Sequence, residues 1–97
     1  MDNSDKLSKI LKVISSPVKL RILNLLCKNE MSLNELHSPI AKEFDIKYPQ
    51  TTYNYLENLV EKGLVEKIYN QNQKVIKYHI IKKKFQLNFE DLEYEFS

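Results

Sequence analysis

The segment Tyr48-Pro49-Gln50-Thr51-Thr52-Tyr53-Asn54 groups the side chains with the most chemistry to offer. Gln50 and Asn54 stand one helical turn apart, with Thr51 and Tyr53 at their flanks. A carboxamide donates and accepts through one planar group, which suits hydrogen-bonded recognition and not bond making. A catalytic constellation does not stand out: no nucleophile lies beside a base, and no carboxylate pair has useful spacing. Ser15, Ser16 and Ser32 are accounted for as helix caps or stops. Cys27 is the lone cysteine, and His37 and His79 are far apart in sequence. Soft-metal ligation needs several convergent ligands, so no metal, no cofactor and no enzymatic activity are expected. Cys27 reads as a small packed hydrophobe. The single glycine, Gly63, excludes Gly-rich nucleotide loops.

The elements that position this segment follow from periodicity and punctuation. Leu7, Ile10, Leu11 and Ile14 give a first helix, Asp5 to Ser15, one apolar face. Ser16 caps and Pro17 opens a second helix, to about Lys28, apolar nearly all round and so central to the core. Ser32-Leu33-Asn34-Glu35 is a capping-box pattern that opens a third helix, with a kink or break expected at Ser38-Pro39. A turn over Asp45–Tyr48 leads to a fourth helix, Pro49 to about Lys62, ended by Gly63 in a left-handed conformation. Thr52, Leu56, Leu59 and Val60 form its inner face. Gln50, Asn54, Glu57 and Glu61 face outward. Leu64–Tyr69 and Lys74–Ile80 read as strands joined by the polar loop Asn70–Gln73. Asn88 caps a last short helix, with Phe89, Leu92 and Phe96 on one face.

The 97 residues make one domain, able to bury about 60–65% of its unfolded surface. Apolar residues are 42% and charged residues 29%, ordinary for a soluble domain. No apolar run approaches the roughly 18 residues of a membrane span, and the acidic start is not a secretory signal, so a cytoplasmic location without membrane contact is expected. Residues 1–84 hold fifteen basic and nine acidic residues, a net +6, while the last thirteen carry −4. A basic body with an acidic tail suits a polyanionic partner.

The expected fold class is mainly α with a small β-hairpin, in the order α-α-α-α-β-β with a C-terminal helix: the winged helix-turn-helix plan. Ser16-Pro17-Val18-Lys19-Leu20-Arg21-Ile22-Leu23-Asn24-Leu25-Leu26 resembles the opening of the ArsR group. Tyr48–Leu56 with Leu59-Val60-Glu61-Lys62-Gly63-Leu64-Val65 resembles the recognition helix and exit shared by ArsR-like and PadR-like regulators. Ile76-Lys77-Tyr78-His79-Ile80 resembles the end of their wing. The stretch Ser32–Tyr48 is longer than the ArsR pattern, and the paired cysteines of its metal sensors are missing, so metal sensing is not carried over.

That resemblance implies sequence-specific binding of double-stranded DNA by a dimeric transcriptional regulator. Gln50, Thr51, Tyr53 and Asn54 would meet base edges and phosphates in the major groove, the carboxamides matching adenine. Lys47 and Tyr48 at the turn and Gln71, Asn72, Gln73 and Lys74 at the wing tip complete the set. Lys19, Lys67 and Lys77 are further phosphate candidates. Residues 1–15 would be a dimerisation helix, 16–81 the winged-helix core and 85–97 an acidic helix or tail. The homodimer would use Leu7, Ile10, Leu11 and Ile14 with Phe89, Leu92 and Phe96, and read an AT-rich pseudo-palindrome. The alternative is a winged-helix protein-interaction module of a larger assembly. The polar face of the fourth helix argues for DNA.

Overall fold

Caps and prolines set the helical half of the protein. The computed structural model describes residues 3–97, so Met1 and Asp2, the start of the expected dimerisation segment, lie outside the described residues. Helix α1 (Asn3–Ile14) is followed by Ser16, whose hydroxyl accepts from the Lys19 amide at 3.3 Å, with Pro17 leading α2 (Pro17–Leu26). Strand β1 (Met31–Ser32) runs into α3 (Leu33–Phe44) through a complete capping box. The Ser32 hydroxyl accepts from the Glu35 amide at 3.2 Å, and the Glu35 carboxylate accepts from the Ser32 amide at 2.9 Å. Helix α4 (Pro49–Glu61) ends at Gly63, whose φ of 77° is the left-handed conformation that glycine adopts without strain.

The hairpin expected as the wing is β2 (Val65–Asn70) and β3 (Val75–Ile80), antiparallel with Val65 opposite Ile80 and Tyr69 opposite Ile76. Strand β1 pairs with the other edge of β3, giving the order β1-β3-β2. The core lies between the helices and this sheet. Ile22, Leu36, Ile40, Leu56 and Leu59 are wholly buried, and Val65, Tyr78 and Ile80 close it from the sheet side. Each such aliphatic side chain contributes about 1.5–3 kcal/mol on burial. Among the described residues no helix is long and apolar enough to cross a membrane.

The structure corrects the sequence reading in four places. Residues 85–97 are not a helix: β4 (Phe85–Asn88) and β5 (Glu93–Phe96) form a second antiparallel hairpin. Phe89, Leu92 and Phe96 therefore share no helical face. The segment also carries a period-2 pattern, Phe85, Leu87 against Tyr94, Phe96, which gathers its aromatics on one side. Phe85 and Phe96 meet as tilted rings, 5.0 Å between centroids and 48° between planes, and Tyr94 meets Phe96 edge-on at 6.2 Å. Asn88 caps no helix; its side-chain oxygen accepts from the Glu90 amide at 2.9 Å and shapes the turn.

Of the kink or break expected at Ser38-Pro39, the break does not occur: helix α3 runs through Pro39. Leu36 and Ile40 are buried on either side of the proline, so packing outweighs its lost hydrogen bond. Cys27 is exposed, not packed. Helix α2 is apolar nearly all round but covered on one side, where Val18, Ile22 and Leu26 are buried, and Leu20 remains 49% exposed. Helix α1 turns Leu7 and Val13 inward, leaves Ile10 and Ile14 half-buried and exposes Leu11. Leu92, at the C-terminal hairpin turn, lines one groove with Leu7 and Leu11, so part of the apolar stripe is covered within the chain.

Glu35 ties these parts together, because its carboxylate also accepts from the Lys77 ammonium of β3. The Lys77 bond first, and the Ser32 amide and hydroxyl next, hold its carboxyl down at about 2 against an ordinary 4.5. A depressed carboxyl stabilises the fold above its unfolded value, and that contribution is lost as pH falls toward the folded value. Glu35→Gln, which keeps an acceptor for the cap, should lower stability at pH 7 by up to about 1 kcal/mol, since the carboxylate is exposed. Urea melts should show the gap to the unsubstituted protein closing between about pH 4.5 and 2. A gap equally wide at both ends would assign the effect to packing.

Candidate nucleic-acid interface

Thr52, Leu56 and Leu59 fall on one side of α4 and are all fully buried. That packing fixes the opposite side, where Gln50, Thr51 and Asn54 are exposed. The Gln50 amide nitrogen donates to the Asn54 side-chain oxygen at 3.0 Å, so the two carboxamides form one hydrogen-bonded strip. The depth of the helix is set from beneath. Thr52 Oγ1 and His37 Nδ1 are 2.7 Å apart, joining α4 to α3 in a part-buried bond. Tyr48 is the N-cap of α4 and offers no side-chain cap; Pro49 has no N–H to satisfy, and the Thr51 amide donates to the Tyr48 carbonyl at 3.0 Å. Tyr48 itself is 69% exposed.

The second half of α4 is locked to the wing. The Lys67 ammonium donates to the Glu57 carboxylate at 2.7 Å. Glu57 is held below the usual carboxylate range by Lys67 and then by the Tyr53 hydroxyl. The same contacts raise the Tyr53 hydroxyl and the Lys67 ammonium. Two consequences follow for an anionic partner. Glu57, an acid on the outward side of α4, is neutralised, and Lys67 and Lys77 are both committed to carboxylates. Tyr53 is pinned along its own helix and half-buried, so it is the least available of the expected contacts.

Lys47 precedes α4 and Lys74 closes the wing turn, and both are exposed. Lys19 of α2 faces α4 across a shallow cleft of about 280 Å³ lined also by Thr51, Asn54, Tyr55 and Asn58. Asn58 Oδ1 is buried without a hydrogen-bond partner. Asn58 continues the strip begun by Gln50 and Asn54, at the next i+4 step, and that spacing was the signal for it in the sequence. Gln71, Asn72 and Gln73 are exposed in the turn, where the Gln73 amide donates to Asn70 Oδ1 at 3.0 Å and Lys74 has a φ of 55°. The expected contacts thus form two groups, one on α4 and one at the wing tip, bridged by Tyr53, Glu57 and Lys67. Arg21 belongs to neither, because Glu43 takes its Nε at 3.1 Å.

The whole chain matches the solved structure of a Campylobacter jejuni peroxide stress regulator, with a TM-score of 0.61 and 28% sequence identity over 100% of this chain and 73% of that one. It shares the architecture of a bacterial regulator. The likeness does not single out the ArsR-like or PadR-like group. No family profile and no curated protein matches the chain. Among the described residues no three His, Cys, Asp or Glu side chains come together as a metal-binding group.

The His37–Thr52 bond gives this geometry a direct test. Thr52→Val keeps the shape but leaves a part-buried ring nitrogen without its partner, which costs about 1–2 kcal/mol. Urea unfolding should register that loss. An unchanged midpoint would show that the apolar neighbours alone position α4.

Proposed function

We propose that this protein is a transcriptional regulator that binds double-stranded DNA as a homodimer, with α4 in the major groove and the β2–β3 hairpin as a wing. The observation that carries the reading is the outward face of α4. Gln50, Thr51 and Asn54 form an uncharged hydrogen-bonding strip beside the half-buried Lys19, on a helix whose other side is fixed in the core. Carboxamides pair bidentately with adenine, and threonine methyls suit thymine, so the preferred site is AT-rich. Lys47, Lys19 and Lys74 supply phosphate contacts, while Gln71, Asn72 and Gln73 lie over the backbone or the minor groove. The 28% identity to a stress regulator across the full chain supports the same class and a non-enzymatic role. An ArsR-like or PadR-like affiliation is the finer form of this reading, and it rests on the sequence segments alone. A dimer with a two-fold axis would read a pseudo-palindrome.

One observation favours a second reading, a protein-interaction module. Ile68, Tyr69, Val75 and Ile76 are all exposed apolar residues of the wing. Salt dependence separates the two. If each protomer meets about 3–4 phosphates, the log–log slope of DNA affinity against salt should be about −5 to −7, and a slope near zero favours the protein partner.

Selection of bound sequences from a random duplex pool supplies the site, and two substitutions then divide reading from anchoring. Asn54→Ala should cost about 1–3 kcal/mol at the best site and relax preference at one or two base pairs. Lys74→Ala should weaken all duplexes alike and reduce the salt slope by about one. Equal loss of specific and non-specific affinity on Asn54→Ala would remove α4 as the reading element.

A further inference from the structure

The tip of the C-terminal hairpin and a groove at its base are chemical complements. Phe89 sits in the β4–β5 turn and is 80% exposed, far more than any core-forming aromatic. Glu90 and Asp91 follow it directly. The turn is already shaped by side-chain bonds, Asn88 Oδ1 accepting from the Glu90 amide and Asp91 Oδ1 from the Glu93 amide, each at 2.9 Å. A preformed turn loses little freedom when it docks.

The groove, about 280 Å³, opens between α2, the base of the wing and the base of the hairpin. Leu20, Leu23, Ile80, Phe85 and Phe96 form apolar walls, and Lys82, Lys83 and Lys84 stand along it. No acid lines it. Among the described residues none of the three ammonium groups has an ion-pair partner. The exposed Leu20 and Cys27 that α2 leaves uncovered both belong to this groove.

We infer that the groove receives Phe89 of a second copy of this chain, with Glu90 and Asp91 of that copy against Lys82–Lys84. A chain cannot fill its own groove this way. Phe85 and Phe96 are the hairpin's base and Phe89 its far tip, roughly 13 Å along the strand. The charges favour a copy over a neutral ligand, since the knob is acidic where the groove is basic. The contact is made twice across a two-fold axis, each chain giving a knob and a groove. A buried aromatic anchor inside a charged rim is the usual form of an energetic centre at an interface. The inference rests on the dimer of the proposed function and supplies its contact surface, in which Phe89 alone of the expected interface residues acts as the knob.

The test is sedimentation of the full chain at micromolar concentration, with far-ultraviolet circular dichroism to verify folding. Phe89→Ala alters only an exposed side chain and should weaken the dimer about tenfold or more. Lys83→Glu with Lys84→Glu should give monomers, as should Glu90→Lys with Asp91→Lys. An equimolar mixture of these two double variants should restore a dimer, because both of its contacts then pair opposite charges. Dimerisation of Phe89→Ala and both reversals at wild-type strength would overturn the inference and leave the dimer to another face, such as that of Leu11. Weak variants whose mixture stays monomeric would overturn it as well. A monomeric unsubstituted protein would overturn the dimer and this surface together. Affinity for a single DNA half-site is untouched by Phe89→Ala, so failure here is distinguishable from failure of DNA reading.

Discussion

The burial of Thr52, Leu56 and Leu59 on one side of α4 governs what the rest of the molecule presents. A helix has one orientation that hides these three, and it turns Gln50, Thr51 and Asn54 outward. The polar member of the buried set would be costly alone, and His37 supplies its partner from α3. The α3–α4 pair is thus held by an apolar contact that sets orientation and a polar contact that sets register. The wing is fastened to each helix of the unit by one ion pair, Glu35–Lys77 to α3 and Glu57–Lys67 to α4.

Those two pairs decide which positive charges remain available to a polyanion. By sequence, Lys67 and Lys77 look equivalent to Lys74, since all three lie in the wing. In the structure the first two neutralise carboxylates, and Lys74 at the turn does not. A basic count therefore overstates the field that a DNA backbone would meet. In the proposed complex the electrostatic part of binding would fall instead to Lys19, Lys47 and Lys74, at the edges of the candidate surface.

The helical half was legible because its signals were local. Ser16-Pro17, the Ser32–Glu35 box and Gly63 act within a few residues, and each produced the expected boundary. The buried face of α4 was legible for the same reason. What escaped depended on partners distant in the chain. Strand β1 has two residues and exists through its pairing with Tyr78 and Lys77. Residues 85–97 fit both periods: Phe89, Leu92 and Phe96 match a helix, while Phe85, Leu87, Tyr94 and Phe96 match a hairpin. The aromatic cluster of Phe85, Tyr94 and Phe96 decided between them. Cys27 follows an apolar helix that is covered on one side only, and apolar composition does not show which side. The committed state of Lys67 was hidden because Glu57 lies ten residues away on another element.

The short reach of β1 has a consequence for solubility. Strand β3 is central to the sheet, yet β1 shields only Lys77 and Tyr78 of its free edge. The outer part, Val75 and Ile76, keeps unpaired backbone groups and exposed apolar side chains. Such an edge is a template for strand addition by another chain. Charged Lys74 stands at its outer end, where its left-handed backbone also breaks the extended run. A charge and a twist at that point act as a gatekeeper, so a residue proposed to touch a phosphate would also keep neighbouring hairpins from pairing.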